Sequence, residues 1–139
     1  MAEAVFKHLV NSDEDKSRQW KVKSAGLLAL PDLPAVPFAQ EACRLAGYDL
    51  SNHRSTQITN ELMNEFNLVL VMEIWHLQKI QEFFPDHAHK TFLLSEMTNV
   101  KKDIIDPHGS PLINHQNSLK EIKEYLAKGY NRIVELSRL

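Results

Sequence analysis

Apolar positions along the chain follow two rhythms, one of about 3.6 residues and one of two. Residues 1–10, MAEAVFKHLV, follow the first. Ala2, Ala4, Val5, Leu9 and Val10 can line one side of a helix, with Glu3, Lys7 and His8 on the others. NSDEDKSRQ (11–19) is a charged connection. WKVKSAG (20–26) follows the second rhythm: Trp20, Val22 and Ser24 alternate with lysines up to Gly26, which predicts a strand. Three prolines make 27–37 a loop. Phe38, Ala42 and Leu45 at i, i+4, i+7 predict a helix over 38–47, stopped by Gly47. Thr59 is placed to cap a short helix with Glu61 in its first turn. The apolar run in NLVLVM (67–72) predicts a strand buried on both faces. Ile74, Leu77, Ile80 and Phe84 then return to helical spacing until Pro85. KTFLL (90–94) reads as a third strand and 95–111 as a long loop. Roughly the last 25 residues form a helix carrying Leu119, Ile122, Leu126, Ile133 and Leu136.

Strands alternating with helices predict an α/β fold, a three-layer αβα sandwich around a parallel sheet. Three strands make a thin sheet, where about five or six is the mean. The chain also opens inside a helix. The count therefore suggests that a strand is missing, with its place ahead of Met1. There is no repeat, low-complexity segment or internal boundary, so 1–139 reads as a single domain, incomplete at its N-terminus. A strand inside such a sheet, rather than at its edge, contributes several buried aliphatic side chains, each worth about 1.5–3 kcal/mol. Its loss leaves two rows of backbone groups unpaired. A stable monomer with an empty slot is therefore not expected. Either the flanking strands close on each other, or a partner supplies a strand, or the chain is largely molten. Unpaired strand edges would also allow a homo-oligomer.

Composition narrows the function classes. The net charge of −2 argues against broad electrostatic binding to nucleic acid or an anionic membrane. No apolar run approaches the roughly 18 residues of a membrane span. The start lacks the basic, apolar, small-residue order of a secretory signal, so a cytoplasmic protein is the default expectation. The single cysteine, Cys43, excludes an internal disulfide and a cysteine metal cluster.

Few residues carry candidate chemistry. Cys43 is the obvious nucleophile by type, but it sits mid-helix on the apolar side with no glycine-rich turn before it, and reads as a small buried hydrophobe. His87 and His89 in DHAH (86–89) have no third ligand at a typical spacing, so no metal is expected. Trp75 and His76 read as helix surface and core. In DPHG (106–109) a carboxylic acid precedes a proline that stiffens the backbone. The plain reading is a turn; the functional one is an acid at a loop tip, ready to protonate a leaving group.

Taken in order, MAEAVFKHLV, VKSAG, AGYDLSNHRSTQIT, FNLVLVMEIWH and DIIDPHGSP resemble the first helix, the second strand with its Ser-Ala-Gly, the Leu-Ser-x-His-Arg stretch, the third strand with its Met-Glu end and the Asp-Pro loop of the low-molecular-weight protein tyrosine phosphatases. The resemblance covers essentially the whole chain. In that family the Met-Ala-Glu-Ala helix directly follows a phosphate-binding loop, C-x-G-N-x-C-R-S-P, and the first strand. The resemblance thus implies that Met1 stands where relatives have an internal methionine, and that the missing first strand is the central one, between 20–26 and 67–72.

The implied chemistry is hydrolysis of a phosphomonoester through a phosphocysteine, without cofactor or metal, on a phosphorylated protein. The loop's first cysteine is the nucleophile, stabilised by backbone N–H groups and a helix N-terminus. Its arginine clamps the phosphate oxygens. The aspartate of the Asp-Pro loop protonates the leaving group and then activates water. Only the last matches a residue here, Asp106. Ser24 matches a serine that braces the loop, and His108 falls at a substrate-binding or loop-supporting place. The nucleophile has no match, so these residues alone are expected to be inactive. Asn52 and Thr56 depart from the family's His and Arg, and His108–Gly109 stands where a tyrosine pair is frequent. A Phe-Gly there is typical of the branch acting on phosphoarginine, so DPHGS leans that way over phosphotyrosine. The arsenate reductase relatives need further cysteines. A non-catalytic, phosphatase-like binding module is the alternative.

Overall fold

The apolar run of 67–72 supplies the first strand of the sheet. In the computed structural model, which describes residues 1–138, β1 (Val69–Val71) pairs in parallel with β2 (Thr91–Leu93). The register sets Val69 opposite Thr91, Leu70 opposite Phe92 and Val71 opposite Leu93. Parallel neighbours need a crossover of a dozen or more residues. Here it is α4 (Ile74–Phe83) followed by a 3-10 turn over Pro85–Lys90. Among the described residues this two-stranded sheet is the only one. The remaining helices are α1 (Ala2–Asn11), α2 (Pro37–Leu45), α3 (Asn60–Asn64), α5 (Leu112–Lys128) and α6 (Tyr130–Ser137). The mixture of helices with a parallel sheet is the expected α/β class.

The chain forms two compact units. Met1–Gln57 with Pro107–Lys123 make one, and Ile58–Asp106 with the chain from Glu124 onward make the other. In the first, Val5, Ala42, Cys43, Leu50, Leu119 and Ile122 are buried. In the second the core is built from Met63, Ile80, Leu93, Leu94, Met97, Ile104, Leu126, Ile133 and Val134. Thr59 caps α3, its side chain accepting from the Leu62 N–H. Lys90 closes the other end, donating from Nζ to the Met63 and Phe66 carbonyls at 2.7 Å each, as a cation at a helix C-terminus should.

Several expectations are corrected. Residues 20–26 join no ladder; Gly26 alone makes an isolated parallel bridge with Gln57. The period-two burial is nevertheless present, with Trp20, Val22 and Ser24 half-buried and Lys21, Lys23 and Ala25 exposed. Alternation decides which way a side chain faces, whereas a ladder also needs a backbone alongside. β1 is half-buried throughout rather than buried on both faces, and among the described residues β2 is its only ladder partner. The α2 stripe is turned from the expected one: Ala42 and Cys43 are inside, while Phe38 and Leu45 are about half exposed. Leu94, expected in the third strand, and the first part of the expected loop form a 3-10 helix, Leu94–Thr98, ended by Asn99 in the left-handed region. The C-terminal helix is two helices, broken at Gly129. Leu139, expected at its end, lies outside the described residues.

The break has a packing cause. A Cβ on Gly129 would stand 2.5 Å from the Met97 Cβ and 2.8 Å from the Tyr125 carbonyl oxygen. The backbone angles at Gly129 are ordinary, so only space requires glycine. Gly129→Ala should therefore destabilise the protein by about 1–3 kcal/mol, the usual cost of overpacking. The check is urea unfolding; an unchanged midpoint would mean that Met97 moves aside freely.

Candidate active site

Two constellations gather polar groups, one in each unit. The first surrounds Glu3, in the opening turn of α1, where a carboxylate suits the helix dipole. Glu3 accepts hydrogen bonds from both the Ser24 N–H, at 2.9 Å, and the Ser24 hydroxyl. Lys7, one turn on, pairs with its other oxygen at 2.6 Å, and His53 Nδ1 lies 3.8 Å away. Burial pushes the Glu3 carboxyl up, but the bonds from Lys7 and Ser24 outweigh it and hold the group below the usual carboxylate range. Burial lowers His53, against the pull of Glu3. Ser24 is thus drawn to the first turn of α1, while His53 and Arg54 come from the loop beyond α2.

The second constellation holds the segment that leads to Asp106. Buried Ser95 grips Lys102 by both backbone groups, accepting from its N–H at 3.0 Å and donating to its carbonyl at 2.8 Å. Asp103 accepts from the Ile74 N–H at 2.7 Å. The Ile104 N–H donates to the Met72 carbonyl at 2.8 Å, and its side chain is buried. Asp106 follows two residues later and is exposed. At the same helix start, the His76 N–H donates to the Glu73 carbonyl at 3.0 Å, and the Glu73 N–H donates to His76 Nδ1 at 3.1 Å. Trp75 donates to Glu73 at 3.2 Å and lays its ring 4.2 Å from that of His76. Burial lowers the proton affinity of His76; Glu73, Asp106 and Asp103 each oppose it through space.

His108 lies in the turn after Pro107, closed by the Ser110 N–H on the Pro107 carbonyl at 2.9 Å, with Gly109 at φ +77°. That left-handed angle suits glycine. Cys43 is fully buried, and burial raises its thiol. His87 is buried beside the start of β2, and among the described residues no group of three or more His, Cys, Asp or Glu could hold a metal. No helix among them is long and apolar enough to cross a membrane. Sequence reasoning missed Asp103, Ser95 and His76. The Asp at three residues before Asp106 was visible as a residue, but nothing local marked it as a remote cap.

A sequence model of the family described as "Low molecular weight phosphotyrosine protein phosphatase" matches residues 1–136. A protein-arginine-phosphatase of Bacillus subtilis (strain 168) is 35% identical over 127 residues, covering 91% of this chain and 82% of that protein. A probable low molecular weight protein-tyrosine-phosphatase, EpsP, of Ralstonia nicotianae is 37% identical over 102 residues, 73% of this chain and 69% of its own length. Among solved structures, a YwlE mutant from Bacillus subtilis superimposes with a TM-score of 0.86 at 32% identity, covering 96% of this chain and 88% of that one.

The buried thiol and the carboxylate each generate a test. Native protein should label slowly at Cys43 with thiol reagents and only stoichiometrically after unfolding; rapid labelling of the folded state would reopen Cys43 as a reactive site. Because Glu3 is depressed when folded, its stabilisation is present above the ordinary carboxylate range and is lost as pH falls through the folded value. Ser24→Ala should lower stability near neutral pH by about 1–2 kcal/mol and move the acid unfolding transition to higher pH. Circular dichroism against pH reads both.

Proposed function

Because the chain belongs to the low-molecular-weight phosphotyrosine protein phosphatase family, we propose that its gene product hydrolyses phosphorylated proteins with Asp106 as the general acid and base. The observation that supports this reading is the exposed carboxylate on a segment held by Ser95, Met72 and Asp103. A rigid anchor two residues before an exposed acid is what proton transfer to a leaving oxygen needs.

The reaction runs in two displacements. A cysteine thiolate attacks phosphorus and forms a sulfur–phosphorus bond. The bond from phosphorus to the leaving atom breaks, and that atom takes the proton of Asp106. The Asp106 carboxylate then takes a proton from water; the water oxygen attacks phosphorus, the sulfur–phosphorus bond breaks and inorganic phosphate leaves. Cys43 is unsuited to the first role, since it is buried and its thiol is raised. It is also the only cysteine. We therefore assign the nucleophile and the phosphate-clamping arginine to a C-x5-R loop outside residues 1–139, and take these residues alone to be inert. Ser24 and His108 support or line the phosphate site in this reading.

Phosphoarginine is the favoured substrate group over phosphotyrosine, on the Gly109 turn after Asp-Pro-His and on the arginine phosphatase likeness that spans most of the chain. The opposing reading, a phosphatase-like binding module, is separated by the DNA ahead of the Met1 codon: an in-frame C-x-G-N-x-C-R-S-P supports the enzyme.

Hydrolysis of an aryl phosphate by the 139-residue chain should equal the buffer blank. A clear rate, abolished by vanadate and dependent on Cys43, would overturn the assignment of the nucleophile. In a gene product carrying the loop, Asp106→Asn should slow substrates with poor leaving groups by about 10²–10⁴-fold and good ones far less. An equal loss for both would remove Asp106 from the acid role.

A further inference from the structure

We propose that Asp103 is the positioning residue for the Asp106 carboxylate, acting through the hydrogen bond that it accepts from the Ile74 N–H at the start of α4. The inference rests on the reading of Asp106 as the acid, but its physical content is separate: where Asp106 stands is decided by Asp103.

The opening N–H groups of a helix have no partner within the helix. A nearby residue usually satisfies them, and the Glu73 carbonyl does so here for His76. Ile74 is served instead by a carboxylate 29 residues further along the chain, at 2.7 Å. A local cap stabilises one helix. A remote cap ties two segments together, and a carboxylate at a helix N-terminus adds the dipole to the bond. The Ile104 N–H on the Met72 carbonyl is the adjoining tie. Together the two bonds hold residues 103 and 104 at the C-terminal end of β1, the edge where parallel α/β sheets present their sites.

Ser95 secures the other side, at Lys102. After Ile104 the chain turns outward, and Ile105 and Asp106 are both exposed. Three residues separate Asp103 from Asp106, a reach of up to about 10 Å. Slack at the anchor is therefore passed on to the acid, and a misplacement of about 1 Å can cost on the order of 10²-fold in rate. The contact differs from an ordinary cap in this consequence.

His76 is a built-in gauge of the arrangement. It stands on the first turn of α4, its Nδ1 accepts the Glu73 N–H, and it responds through space to Asp106 as well as to Asp103 and Glu73. Removing the Asp106 charge should lower the proton affinity of His76 only while Asp106 is held in place.

The test is an NMR titration of the His76 ring in the full-length gene product, with and without Asp106→Asn, in four backgrounds. In the wild type and in Asp103→Asn, which keeps the acceptor without the charge, Asp106→Asn should lower the His76 pKa by the same amount. In Asp103→Ala that effect should fall by half or more, and the Ile74 amide should exchange about tenfold faster. Asp103→Glu keeps the charge but displaces the acceptor, so it should weaken the effect as Ala does; it also serves if the alanine variant does not fold. An Asp106 effect equal in all four backgrounds, or an Ile74 amide still protected in Asp103→Ala, would overturn the proposal. None of these readouts depends on phosphatase activity. Failure of the functional reading would show in the hydrolysis assays, and failure of the positioning in this titration.

Discussion

The structure of the second unit depends on what happens where β1 ends. A strand of three residues with one neighbour cannot hold a loop in place through its own ladder. The load passes to the junction, where the Met72 carbonyl and the Ile74 N–H, two residues apart, each take a partner from residues 103 and 104. These two backbone groups are left open by the change from extended to helical geometry, and a buried group without a partner is costly. Satisfying both from one segment aligns that segment with the exit of the strand. The position of the Asp-Pro loop is thus a consequence of backbone accounting at a strand-to-helix turn.

The first unit solves a similar problem with the opposite arrangement. There the carboxylate lies inside the helix, at Glu3, and the loop residue Ser24 donates to it with two groups. Lys7 and His53 complete a charge-balanced set around a partly buried acid. Ser24 is therefore held rigidly by α1, and whatever the 24–26 segment supports inherits the orientation of that helix. Both units place a chain segment against a helix start through a carboxylate, since hydrogen bonds to an ionised acceptor are stronger and more directional than neutral ones.

The chemical division of labour follows from burial. Cys43 has the right element and the wrong surroundings, with no exposed surface and a thiol raised by its apolar setting. Asp106 has the right surroundings, exposed at the end of an anchored stretch. The acid role proposed for Asp106 rests on family membership over residues 1–136 together with this placement. The bonds of Lys102, Asp103 and Ile104 hold the stretch that leads to it.

By itself the sequence determined the α/β class, the strands expected at 67–72 and 90–94, the Thr59 cap, the Gly47 stop, the burial of Cys43 and the family. Each of these follows from local periodicity, from a residue's backbone preferences or from motif order. Only the tertiary structure decided that 20–26 keeps its alternation without a ladder, that α2 turns Phe38 outward, and that the last helix breaks at Gly129 against Met97. It alone made Asp103 and Ser95 anchors and set His76 beside them. The reason is range: a pattern of 3.6 or two reports on neighbours a few residues away. A cap donated across 29 residues, or a glycine required by another segment's Cβ, leaves no trace until the chain has closed on itself.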